Sequence, residues 1–310
     1  MVASSGFILT RNVYASFLMK GVCDMFRKAF PQLSPVLLLL LFFVIIPLLW
    51  IIRASFNVVV DGAYMVSAFT LDNYIKFLGS KWYWVNTLWF SIKIAFITTF
   101  ISSVCAYPVA IYIGKTGGLQ RNILMSLVMA PLLIGLVTLV YGWIVIFSGS
   151  GLMNSLMIAL HVYNEPVKYM WDIKGVCILL VYIGIPYMVL SLIDSIERIN
   201  PFLIEAARNV GANRWLTFWK IVFPLTLPGL YAGLVIVFAL NFSAFAVPLM
   251  IGNSNTQMLG LVIYREALLN NNLPFSSAIS VIMSIVNALI IMGLTAVFGK
   301  LILRKLEVVR

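Results

Sequence analysis

Long apolar runs separated by short polar stretches dominate this chain, and their length, rather than any period-2 alternation, predicts its elements. Six windows approach or exceed the roughly 20 apolar residues needed to cross the hydrocarbon layer of a bilayer. They cover residues 35–54, 87–112, 122–147, 175–194, 228–251 and 277–299. The expected fold class is therefore an all-α polytopic membrane protein with six transmembrane helices. Residues 33–303 form one domain, preceded by a segment over 1–32 and followed by a short tail, 304–310. Pro108, Pro131, Gly135, Gly184, Pro186 and Pro248 interrupt the runs. Such breakers are tolerated where neighbouring helices or a water-lined cavity satisfy the freed backbone groups, so a transport path and ordinary packing kinks both account for them.

Composition excludes a soluble fold. The chain is 62% hydrophobic and 10% charged, against about 45–50% apolar in soluble domains, and six spans leave no room for a large soluble domain within these residues. The first run begins beyond residue 32, too deep for a cleaved signal peptide. Residues 1–32 mix Phe7, Ile8, Tyr14, Phe17, Leu18, Phe26 and Phe30 with Arg11, Lys20, Arg27 and Lys28, the pattern of an interfacial amphipathic helix or of a simple tail.

The net charge of +11 raises nucleic acid as a partner, but the placement of the charges answers it. Segments 1–32, 113–121, 195–227 and 300–310 hold 14 of the 21 Lys and Arg, while the alternate segments 53–85, 148–174 and 252–276 hold 6. This asymmetry is the positive-inside pattern, with both termini cytoplasmic and a lipid bilayer, not nucleic acid, as the basic protein's surroundings.

Apparent chemical motifs dissolve in context. Gly114-Lys115-Thr116 lacks the upstream glycine of a phosphate-binding loop, Val109 standing in its place. Asn241-Phe242-Ser243 spells a glycosylation triplet inside a span. His161 is the single histidine, and Cys23, Cys105 and Cys177 have neither metal-ligand nor disulfide spacing. No catalytic or metal residue is assigned, and no cofactor of the chain's own. Gly229-x3-Gly233 permits close helix approach within one subunit or between two. Apart from Arg53 and Asp194 at span ends, Lys93 is the one charge inside a span, either lining a path or snorkelling to the interface. Tyr141 and Trp143 in the third span, with Asn241, Phe242, Ser243 and Phe245 in the fifth, are the further candidates for a translocation path.

The charged stretch 195–227 between the fourth and fifth runs carries the most specific signal. Asn200-Pro201 is a strong helix start, a helix is expected over 201–210, and Gly211 suits a left-handed C-terminal cap. Asn213 starts a second helix over 214–222, with Trp215, Phe218, Trp219 and Val222 at helical spacing, before Pro224 and Pro228 break the chain. In this register Glu205, Arg208 and Asn209 share one side, and Ala206, Ala207 and Val210 offer a small, smooth surface to a partner. Local physics allows an interfacial connector or a docking element that moves the two spans it joins.

Glu205-Ala206-Ala207, Gly211, Ile221 and Pro224 match the pattern E-A-A-x3-G-x9-I-x2-P, with Phe223 where leucine is more common. This resembles the signature of permease subunits of ATP-binding-cassette importers. Asn86-Thr87, Ala106-Tyr107-Pro108-Val109-Ala110, Tyr141, Trp143, Gly151-Leu152-Met153-Asn154 and Pro186 resemble the polyamine, opine and phosphonate branch of type I importers, over roughly residues 35–303. The resemblance implies a type I importer fold whose coupling helix enters a cleft on a cytoplasmic ATPase, with Glu205, Ala206, Ala207 and Gly211 carrying the coupling and Ile221 and Pro224 shaping the exit. It implies two ATPase subunits that bind ATP and Mg, a second permease subunit, a periplasmic substrate-binding protein and a bacterial inner-membrane location. Cargo is expected to be a polyamine such as spermidine or putrescine, with an opine or aminophosphonate as the alternative. A secondary transporter is the alternative of another class.

Overall fold

The structure, a computed structural model, describes residues 34, 35, 38–60, 63–162, 164–167 and 170–308, with backbone alone for 63, 64 and 300–308. The helix expected within 1–32 lies outside the described residues. The chain divides into two compact units, 1–53 and 54–310. The first span appears as α1, Leu38–Ala54, shorter than the five helices long and apolar enough to cross a membrane among the described residues.

In the second unit, α3 (Trp82–Lys115), α7 (Ile173–Glu197) and α9 (Arg214–Phe242) pack against one another. Their shared core joins Ala106, Ala110 and Ile113 to Met188, Leu192 and Ile193 and to Leu227, Leu230 and Val237. Small residues set how closely they approach. A Cβ on Gly184 would come within 2.8 Å of both Ser102 Oγ and Val237 Cγ1. One on Gly229 would strike the Ser191 carbonyl and the Ser195 side chain, and one on Gly233 would strike Met188. The Gly229-x3-Gly233 pair therefore joins the fourth and fifth spans within one subunit, where glycine permits backbone-to-backbone contact.

Two expected spans are broken. The third divides into α4, Gly118–Leu133, and α5, Leu136–Phe147, with extended backbone at Ile134 and Gly135. Pro131 removes one ladder hydrogen bond near this point, and Gly135 caps the second piece. After a turn, α6 (Leu152–Ala159) follows. The fifth span stops at Phe242 and restarts as α10, Ala246–Ile251. Pro248 lacks the N–H that would bond the Ala244 carbonyl, and Gly260 lies against that break, where a Cβ would meet the carbonyl oxygens of Ser243 and Ala244 at 2.8 and 2.9 Å. Pro224 and Pro228, by contrast, do not break the chain. Both lie within continuous α9, which accommodates Pro224 by a wider turn at Phe218–Val222.

The loop before α3 contains an unexpected antiparallel hairpin, β1 (Val58–Val60) with β2 (Ala63–Val66). Helix α2, Asp72–Gly79, follows it, its start marked by a bond from Asp72 N–H to Thr70 Oγ1 (3.1 Å). Asn73 donates to the carbonyls of Ser55 and Asn57, both at 2.9 Å. Helix α11, Leu259–Tyr264, and the final helix α12, Leu273–Val308, complete the unit. Phe77, Phe238, Phe242, Leu259 and Phe275 close its second core.

Candidate functional site

Two features stand out. The first is α8, Pro201–Asn209, held by caps at both ends. Asn200 Oδ1 accepts from Phe202 N–H at 3.0 Å. At the other end Gly211 has φ of +84°, Ala212 N–H donates to Ala207 O (3.0 Å) and Gly211 N–H to Arg208 O (2.9 Å), the paired bonds of a Schellman cap. Asn213 Oδ1 then accepts from Leu216 N–H at 2.8 Å to start α9. Terminal groups at both ends of α8 thus find partners close in sequence, which fixes the element's shape locally.

Glu205, Ala206, Arg208, Asn209 and Val210 are exposed, Val210 at 84% and Phe202 at 73%. Ala207 departs from the expected outward surface: it is buried, one residue and so about 100° around the helix from Ala206. Among the described residues Glu205 makes no ion pair; the pair on this side of the bundle is Arg121 with Glu197. Ile221 and Pro224 are half-buried at the wide turn, in which Phe223 N–H bonds Phe218 O. That turn is cemented to α3 by aromatic rings. Phe218 is edge-on to Tyr107, with centroids 5.5 Å apart, and the Tyr107 hydroxyl is hydrogen-bonded to that of Thr226.

The second feature is a cavity of about 440 Å³ at the two span breaks, walled by residues of α4, α5, α7 and the α9–α10 junction. Asn241, Ser243 and Phe245 are in its wall, together with Pro131, Leu136 and Tyr187. Asn241 is buried and donates from Nδ2 to Thr98 Oγ1 at 2.9 Å. The remaining path candidates lie elsewhere. Phe242 is fully buried in the second core. Trp143 stacks on Phe147 at 5.1 Å and meets Tyr182 edge-on, and Tyr141 is exposed. Lys93 is exposed with its ammonium 5.6 Å from the Trp89 ring centroid. Thr98 and Tyr187 were not among the residues singled out from the sequence. The signal for Thr98 was available in Ser91, Thr98 and Ser102, hydroxyls at helical spacing on one buried stripe of α3.

A helical membrane bundle with a rigid, capped, outward-facing helix at its charged end has the makings of a transport subunit driven by another protein, and comparison with known proteins agrees. Residues 106–304 match the model of the binding-protein-dependent transport system inner membrane component family. The chain is 34% identical over 253 residues to the spermidine/putrescine transport system permease protein PotB of Escherichia coli (strain K12), covering 82% of this chain and 91% of that protein. It is 31% identical to the protein of the same name from Haemophilus influenzae, covering 86% and 93%. Among solved structures it resembles a chain of a bacterial alginate ABC transporter crystallised with an alginate-bound periplasmic protein, with a TM-score of 0.74, 16% identity and coverage of 90% and 96%. It also resembles an inward-facing methionine ABC transporter, with a TM-score of 0.54, 18% identity and coverage of 70% and 95%. The chain belongs to the binding-protein-dependent transport system inner membrane component family.

It is accordingly a multi-pass, non-catalytic permease subunit of an ATP-driven importer. The family assignment decides against the secondary-transporter alternative.

Proposed function

We propose that this permease carries a polyamine of the spermidine or putrescine type across the bacterial inner membrane, with both termini cytoplasmic. The observation that carries the cargo assignment is the 34% identity, over 82% of the chain, to a permease named for those two amines. In this reading residues 33–303 form half of the path, a second permease subunit forms the other half, and a periplasmic binding protein delivers the cargo. Two ATPase subunits bind ATP and Mg and grip segment 195–227. Glu205, Ala206, Ala207 and Gly211 make the coupling contact, and Ile221 and Pro224 set the angle at which the segment re-enters the bundle. The capped α8 with exposed Glu205, Ala206 and Val210 supports that assignment. Of the path candidates, Asn241, Ser243 and Phe245 belong at the cavity, while Tyr141, Trp143 and Phe242 serve packing away from it and Lys93 belongs at the lipid interface.

Two measurements test the reading. Cells lacking the chain should lose uptake of labelled spermidine or putrescine and regain it on re-expression; unchanged uptake of both would remove the cargo assignment, and loss of opine or aminophosphonate uptake instead would replace it. Affinity purification from native membranes should recover an ATPase with the wild-type chain and not with Glu205→Lys. Equal recovery would reduce segment 195–227 to a connector.

A further inference from the structure

The orientation of one buried amide gives the cavity a preference for charge sign. Thr98 Oγ1 lies 2.7 Å from Ile94 O and 3.2 Å from Ala95 O, acceptors one helical turn back. Its single proton is committed to them, so toward Asn241 the hydroxyl can only accept. The amide is thereby fixed with Nδ2 on Thr98 and Oδ1 turned away, and Oδ1 bonds no other described residue. Asn241 lies in the cavity wall, so the group left for an occupant is an acceptor.

Helix ends of both signs meet at the cavity, since α5 and α10 begin in its wall, but the one that carries Asn241 is negative. α9 ends at Phe242 beside the cavity, and a helix C-terminus carries roughly half a negative charge on its unsatisfied carbonyls. Pro248 leaves the Ala244 carbonyl without its ladder donor, and Ala244 is also in the wall. Phe245 and Tyr187 add aromatic rings to the wall, a residue type whose π-systems attract cations. None of the described residues lining the cavity is charged. A neutral set of acceptors attracts an ammonium without trapping it, whereas a carboxylate would form an ion pair that must be broken at every passage.

We infer that the break in the fifth span is a transit site for one protonated amine at a time, with Asn241 Oδ1 as its acceptor and Thr98 as the positioning residue that keeps that acceptor turned inward. This deepens the cargo assignment above and rests on it only for the identity of the amine.

Two readouts separate the site from the cargo. In a background with Cys23, Cys105 and Cys177 replaced by Ala, Ser243→Cys in the assembled complex is labelled with a cationic ammonioethyl methanethiosulfonate and with its neutral ethyl analogue. The ratio of the two rates should fall about fivefold on adding Thr98→Val, the size of one net hydrogen bond, and stay unchanged with Thr98→Ser, which keeps the hydroxyl. In proteoliposomes, putrescine uptake should fall by a similar factor in Thr98→Val and Asn241→Leu while ATP hydrolysis stimulated by the loaded binding protein persists. A labelling ratio indifferent to Thr98→Val would overturn the site, even with polyamine uptake intact. A ratio that responds as expected in a complex that moves no polyamine would keep the site and remove the cargo assignment.

Discussion

The ring of Phe218 stands edge-on to that of Tyr107, at 83° between planes and 5.5 Å between centroids. Phe218 opens the wide turn at the base of α9, and Tyr107 sits in α3 beside Pro108, so this contact ties the segment carrying α8 to a second span. A push on α8 is thus delivered to α3 as well as to the helices it joins. An aromatic pair contributes about 0.5–1.5 kcal/mol beyond its buried area. Phe218→Ala should lower uptake per ATP hydrolysed by up to about tenfold, while the ATPase still co-purifies. Parallel assays of transport and hydrolysis in proteoliposomes check this, and an unchanged ratio would place the transmission elsewhere.

Gly211 holds φ at +84°, where a Cβ costs about 1–2 kcal/mol, yet nothing lies within 4 Å of the position a Cβ would take. The requirement is conformational, not steric. Gly211→Ala should therefore weaken ATPase retention, Gly211→Asn should be milder because asparagine tolerates the left-handed region, and both should insert normally. Retention measured by co-purification should rank wild type above Asn above Ala.

Most of α8 was legible in the sequence because its signals are local: Asn200-Pro201 at one end, Gly211 and Asn213 at the other. The span breaks were only half legible. Pro131 and Pro248 marked a disturbance, but hydropathy runs unbroken through Ile134 and Ala244, and whether a membrane proline kinks or breaks its helix depends on what receives the freed carbonyl. At Ala244 the break depends on Gly260, distant in sequence, which leaves the carbonyl room that a Cβ would fill. Pro224 and Pro228 erred the other way, since a wide turn absorbs the missing donor. The hairpin has a strand-and-turn signal in Val58-Val59-Val60 followed by Asp61-Gly62, but its strands are short beside the long apolar runs that flank them. The Thr98–Asn241 pair spans 143 positions and has no local trace.

Gly229 meets the Ser191 backbone, and backbone cannot move aside as a side-chain tip can. Gly229→Ala should destabilise the bundle by about 1–3 kcal/mol, the cost of overpacking a filled site. Gly142→Ala, with nothing within 4 Å, is the matched control and should leave stability unchanged. Thermal unfolding in detergent followed by size exclusion distinguishes them; equal midpoints would mean that α7 and α9 can separate freely.

Asn154 is buried and makes three bonds to the chain around it: Nδ2 to Ser148 O (2.8 Å) and Val167 O (3.1 Å), and Oδ1 from Val167 N–H (2.9 Å). It pins residue 167 to the start of α6. Asn154→Ala should cost about 2–3 kcal/mol, since it leaves partner groups unpaired. Limited proteolysis of intact membranes should show faster cleavage within 160–172, with no change within 198–213.

Lys93 provides a contrast between two meanings of a charge inside a span. It shares an exposed stripe of α3 with Trp89, Phe96 and Phe100, the spacing of one helical face, and its ammonium leans toward the Trp89 ring. Exposed contacts of that kind are worth about 0.5–1 kcal/mol, and a lysine stem can carry its charge toward the interface at little cost. Thr98 is buried on a different face of the same helix, and a fixed cation at the cavity would repel an amine. Lys93→Met should therefore insert normally and move putrescine and spermidine within about twofold of wild type, the size of a contact of this strength. A shift in the ratio of the two amines, read from competitive uptake in proteoliposomes, would instead put the ammonium within reach of the cargo.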